Sequence, residues 1–224
     1  MNTFAQKQAF LGREGDAWFW RNRAKLAQVT QDPVEATLST IPLQPRAFLE
    51  IGCSNGWRVN RLAQAFRAPG YGIDPSEQAI AEGKSLYPDL TLLKGTAEKL
   101  PFPDATFDIV IYGFCLYLCD RGDLFQIAAE GDRVLADGGH VVIYDFFVSR
   151  PYARVYHHDP SLLSYKMDYS TLFLGHPAYT LQKRENFSHS AGAVESEDDM
   201  VAVIVMKKDV GHAFPLRADA TGTV

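Results

Sequence analysis

Between Ala47 and Phe147 the apolar positions switch repeatedly between short continuous runs and three- to four-residue spacings. The runs "AFLEIG" (47–52), "GYGID" (70–74), "LTLLKG" (90–95), "FDIVIYG" (107–113) and "HVVIYDFF" (140–147) are rich in β-branched and aromatic residues, as buried strands are. Between them, "WRVNRLAQAF" (57–66), "SEQAIAEGKSLY" (76–87) and "DLFQIAAEGDRVL" (123–135) repeat apolar residues with the period of amphipathic helices. Pro75 and Ser76 mark a helix start, and "ADGG" (136–139) predicts a turn ending the third helix. Strands alternating with helices predict an α/β fold, a parallel sheet covered on both faces.

The flanks depart from this alternation. "GDAWFWRNRAKLAQV" (15–29) predicts a helix ahead of the first strand, its Trp18, Phe19 and Trp20 serving the core or a pocket lid. The stretch 148–184 is too long and too aromatic for an idle loop and is expected to form short helices capping the sheet edge. Residues 185–208 hold two strand-like runs around an acidic turn, an antiparallel hairpin at the sheet edge, and 209–224 reads as a loose tail. The expectation is a single domain over 1–224, with an N-terminal helical segment at 1–45 and a binding core at 46–147.

Composition narrows the function classes. The net charge is -5, from 22 basic and 27 acidic residues, and no concentrated basic face for nucleic acid is visible. No apolar run is long enough to span a membrane or resembles a signal peptide, so a cytoplasmic protein without nucleic-acid or membrane partners is expected. The three cysteines suit a reducing compartment, and Cys115 and Cys119, four apart, read as buried free thiols.

In an open α/β sheet ligands sit beyond the carboxyl ends of the strands, where strand order reverses. Glu50 to Gly56, Asp74, Thr96 to Glu98, Tyr112 to Phe114 and Asp145 all fall at such ends. Asp74 lies 24 residues beyond Glu50, the place of a second-strand carboxylate that takes both hydroxyls of a ribose. The first turn carries only Gly52 and Gly56, not the three glycines of a pyrophosphate site. A carboxylate at Glu50 would repel pyrophosphate and attract the ammonium of a methionine moiety, so S-adenosylmethionine is favoured over NAD. The expected cofactor-binding set is Glu50, Gly52, Cys53, Gly56, Asp74, Pro75, Thr96, Ala97, Glu98 and Tyr112, with Asp74 on the ribose and 96–98 flanking the adenine.

The segments "LEIGCSNG", "GYGIDPSEQAI", "GTAEKLPFPDATFDIVIYG" and "VLADGGHVVIYDF", in this order, resemble the class I S-adenosylmethionine-dependent methyltransferases, especially the small-molecule branch similar to quinone-biosynthesis enzymes. The resemblance implies a Rossmann-like, seven-stranded, mostly parallel sheet with an antiparallel C-terminal strand. Thr96 stands where that family often has an acidic residue on the adenine amino group. "FLGREGDAWFWRN" and "YHHDPSLLSYKMDYSTLFLGHPAYT" are similar to methyltransferases found with bacterial surface-sugar biosynthesis, which implies a sugar or sugar-nucleotide acceptor methylated at oxygen or nitrogen.

Methyl transfer gains most from holding the acceptor aligned and dry, so a base is optional. If one acts, His157 or His158 is the candidate, with Tyr117 as a positioning group. Their spacing with Asp159 and His176 is not that of a metal site, and no metal is expected. An NAD-type oxidoreductase and a non-catalytic cofactor-binding module on the same fold are the alternatives, and dimerisation is left open.

Overall fold

The computed structural model describes residues 5–189 and 196–215. Strand β1 (Phe48–Ile51) is buried on both faces, which its continuous apolar run demands. It pairs in parallel with β2 (Gly70–Asp74) on one side and β4 (Phe107–Gly113) on the other, Glu50 lying opposite Gly72 and Ile111. With β3 (Thr91–Lys94), β5 (Leu135–Phe146), β8 (Tyr179–Ser188) and β9 (Met200–Lys208) the sheet has the order β3-β2-β1-β4-β5-β9-β8. Strand β9 is antiparallel to both its neighbours and the other six run one way. This is the expected seven-stranded sheet with an antiparallel C-terminal strand.

Helices cover both faces. Helix α1 (Ala5–Ala9) runs through a π-helical turn (Phe10–Glu14) into α2 (Gly15–Leu26). Helices α3 (Pro33–Leu38) and α4 (Trp57–Phe66) pack Val34, Leu38, Val59 and Leu62 on the face that carries Phe48, Ile109, Ile111 and Val142. Helix α5 (Glu77–Leu86) is capped by Ser76, whose hydroxyl accepts from the Ala79 amide at 3.0 Å. Helix α6 (Leu124–Val134) covers the opposite face with Leu49, Val110 and Tyr112 beneath it.

Three expectations are corrected. The 136–139 segment does not stand as a free turn: β5 begins at Leu135 and absorbs it as a bulge, the pairing jumping from Phe107–Leu135 to Ile109–His140. The 148–184 stretch folds mainly as an antiparallel hairpin of β6 (Tyr152–Val155) and β7 (Leu163–Lys166), with one short helix α7 (Thr171–Leu174). Asp159 makes the difference, because its Oδ1 accepts from both the amide (2.9 Å) and hydroxyl (2.6 Å) of Ser161 and so builds a tight turn. The last hairpin begins at Tyr179 rather than 185. Past it, α8 (Val210–Ala213) is tied down by the Val210 amide bonding Asp137 at 2.8 Å, and the rest of the expected loose tail, 216–224, lies outside the described residues.

Candidate functional site

The turn after β1 is shaped by backbone that only small residues tolerate. Gly52 has φ +78°, and a Cβ there would come within 2.6 Å of the Cys115 Cβ. Its amide and that of Cys53 bond the Ile73 carbonyl at 2.8 and 3.2 Å, which folds the turn back against the end of β2. Above it opens a crevice, at the point where β1 separates β2 from β4 and the strand order reverses.

Asp74 ends β2 in the wall of this crevice. Its Oδ2 accepts from the Ser54 amide at 2.8 Å and its Oδ1 from the Ser76 amide at 2.9 Å, so both oxygens are held in place with acceptor capacity to spare. Burial pushes this carboxyl up to about 6 despite the two amides. Pro75, Thr96, Ala97 and Glu98 also line the crevice, and the Thr96 hydroxyl donates to Glu98 at 2.7 Å.

The N-terminus closes the other side. Gln6, Lys7, Phe10, Gly15 and Trp18 line the crevice, while Phe19 is buried in the core and Trp20 is exposed, so the tryptophan-rich helix divides between the two expected uses. The Gln6 and Lys7 amides donate to Asp120 at 3.2 and 2.8 Å, and the Lys7 ammonium reaches Glu98 (3.1 Å) and Asp123 (2.8 Å). The lining counts four carboxylates, Asp74, Glu98, Asp120 and Asp123, against the single cation Lys7. That balance attracts a cation and repels a diphosphate.

Other expected site residues stand elsewhere. Glu50 is 1% exposed, and the cation it meets is the chain's own Arg58, which also bonds Asp32 at 2.9 Å. Glu50 stands behind Gly113 of the crevice wall, where any Cβ would collide with its Oε1. Burial pushes its carboxyl up to about 7 against the pull of Arg58, and its Oε2 has no hydrogen-bond partner. Tyr112 points away from the crevice, because alternation along β4 sends it under α6, where its hydroxyl donates to the Ile127 carbonyl at 2.9 Å. Cys53 turns to the opposite face beside Ile80 and Leu92, and Gly56 serves as the N-cap of α4 at φ +77°. None of these four is among the wall residues.

His157 and His158 are exposed at the β6–β7 turn, their rings 5.0 Å apart, and neither lines the crevice. Tyr117 is buried behind Phe114, ring centroids 5.0 Å apart. Missed by the sequence reading were the α1 residues and the Cys115 to Asp123 segment of the wall, since nothing local marks a helix as lying over a distant strand end. Cys115 and Cys119 are free thiols, as expected, but they are half-buried in the crevice wall rather than fully buried. Among the described residues no cluster of His, Cys, Asp or Glu is arranged to hold a metal, and no helix is long and apolar enough to cross a membrane.

Comparison with known proteins agrees with this geometry. The methyltransferase domain family matches residues 49–143. A fatty-acid O-methyltransferase of Mycolicibacterium smegmatis is 27% identical over 81% of this chain and 64% of its own length. A demethylmenaquinone methyltransferase of Lysinibacillus sphaericus is 36% identical over 42% of each chain. The chain thus spans less than two thirds of these relatives. Among solved structures, the Burkholderia thailandensis 1,6-didemethyltoxoflavin-N1-methyltransferase, determined with bound 1,6-didemethyltoxoflavin and S-adenosylhomocysteine, superposes with a TM-score of 0.69 at 15% identity, over 91% of this chain and 89% of that one. Residues 49–143, the stretch that matches a methyltransferase domain, run from β1 through most of β5 and carry the crevice residues Gly52, Asp74 and Thr96 to Glu98.

Proposed function

We propose that this protein transfers a methyl group from S-adenosylmethionine to oxygen or nitrogen of a small polar acceptor. The observation that carries the reading is the acidic crevice at the strand-order reversal with Asp74 fixed in its wall. Asp74 would take the ribose hydroxyls, and Thr96, Ala97 and Glu98 would flank the adenine. When bound, the cofactor supplies an electrophilic methyl group on a positively charged sulfur. The wall's carboxylates favour that charge, Gly52 lets the backbone approach closely, and α1 with Phe10 and Trp18 excludes water from the reacting centre.

For the acceptor, Phe10, Trp18 and Phe114 offer aromatic faces that pack on the C–H face of a pyranose as readily as on a planar ring. Together with the resemblance of the flanks, this supports a sugar derivative as the first candidate. The three free cysteines support the cytoplasm as its compartment.

Calorimetry with S-adenosylhomocysteine and with NADH, followed by transfer from labelled S-adenosylmethionine to nucleotide sugars, quinone precursors and phenols, tests this. Binding of S-adenosylhomocysteine and methylation of one acceptor class is the expected result. Tight NADH binding without S-adenosylhomocysteine binding would overturn it in favour of an oxidoreductase, and cofactor binding without any methylation would favour a non-catalytic module.

A further inference from the structure

Strand β8 is antiparallel to β9, which is antiparallel to β5, so β8 runs with β4 and β5 and its carboxyl end reaches the same edge as theirs. His189 follows that end, anchored by its amide on the Asp199 carbonyl at 2.7 Å. Its ring stacks on Phe114, centroids 5.1 Å apart and planes within 10°, and meets Phe146 at 5.2 Å. Phe114 lines the crevice and is held at φ +61°, a region a bulky side chain seldom occupies, by its amide bond to Tyr144 at 2.8 Å. Among the described histidines, His157 and His158 lie on the β6–β7 turn, His140 sits within β5 opposite Ile109, His176 packs on Tyr179 and Phe214, and His212 stands exposed in α8, while His189, itself outside the crevice wall, packs directly on a wall residue.

We propose that His189 is the general base of the methyl transfer, taking the proton that the acceptor loses. The inference rests on the methyltransferase reading above. As the acceptor's oxygen or nitrogen bonds to the methyl carbon, the carbon–sulfur bond breaks with its electron pair left on sulfur. The proton on the attacking atom passes to the imidazole of His189 and then to solvent. The charged groups facing this imidazole are Lys166 of β7 and Lys25 of α2, which lower its pKa, and Asp199 before β9, which raises it. Burial is the largest influence and also lowers it, which keeps the ring neutral near pH 7 as a base must be.

The test uses wild type, His189→Asn and His189→Ala, with His157→Ala and His158→Ala for comparison. Calorimetry with S-adenosylhomocysteine comes first: failure of wild type to bind removes the methyltransferase reading, whereas equal binding by wild type and His189→Asn isolates the histidine question. In ¹³C-histidine-labelled protein, the resonance absent from His189→Asn should titrate below the ordinary histidine value and shift when S-adenosylhomocysteine is added. A resonance unmoved by that addition overturns the proposal, whether or not an acceptor has been found. With an acceptor from the panel, His189→Asn should lower kcat about 100-fold, leave the KM for S-adenosylmethionine within about twofold, and abolish the acid limb of the pH–rate profile. An unchanged acid limb, or a kcat loss matched by His157→Ala or His158→Ala, also overturns it.

Discussion

Asp74 serves two purposes with one carboxylate. It braces the turns at Ser54 and Ser76 through their amides and presents its remaining lone pairs to the crevice. Asp74→Ala should therefore weaken S-adenosylhomocysteine binding by about 1–3 kcal/mol in calorimetry, with circular dichroism showing the fold retained. Unchanged affinity in the folded variant would take the ribose role from Asp74. Tyr112, two strands away on β4, should behave the other way round. Its hydroxyl is spent on Ile127 under α6, so Tyr112→Phe should leave affinity unaltered and cost about 1 kcal/mol of stability in urea unfolding. The contrast follows from the two-residue period of a strand, in which adjacent side chains face opposite sides. Glu50 shows the same logic. A buried carboxylate does require a cation, but Arg58 on the neighbouring helix provides it from within the chain.

At the scale of elements, α1 forms one side of the crevice. Its Lys7 bridges Glu98 and Asp123 on the far side of the crevice, and the Gln6 side chain bonds the Leu118 carbonyl at 2.6 Å and the Leu163 amide at 2.8 Å. Lys7→Met removes both ionic ties, so it should speed release of S-adenosylhomocysteine several-fold in stopped-flow displacement. An off-rate equal to wild type would mean that the N-terminal contacts do not gate the crevice. The β6–β7 hairpin has a related lesson. The polar and aromatic composition of 148–184 announces a structured cap, yet whether it becomes helix or hairpin depends on Asp159 closing a turn and on β7 packing beside the Leu116–Leu118 segment.

For the whole molecule, the buried carboxyls set a pH dependence of stability. Asp145 accepts amide bonds from Leu116 (2.8 Å), Tyr117 (3.3 Å) and Phe146 (2.8 Å), yet burial pushes its carboxyl up to about 7, and Asp74 is likewise raised to about 6. Both exceed the ordinary value of 3.8 of the unfolded chain, so between about pH 4 and 7 the folded state holds the extra proton and these groups lose stability as pH rises. Asp145→Asn removes its share. The melting-temperature advantage of wild type over the variant should shrink from pH 5 to pH 8, and a constant difference would refute the raised value.

Periodicity alone was enough to predict five parallel strands, their covering helices and the crevice edge at which Gly52, Asp74 and 96–98 meet, because these depend on local hydrophobic pattern and on the general rule for open α/β sheets. Orientation was not contained in it. Which side of β4 takes Tyr112, which cation answers Glu50, that α1 lines the crevice and that the end of β8 brings His189 onto Phe114 are all relations between residues distant in the chain. Such relations are set only when sheet register and helix packing bring those segments together, since the pattern of a single segment carries no information about its neighbours.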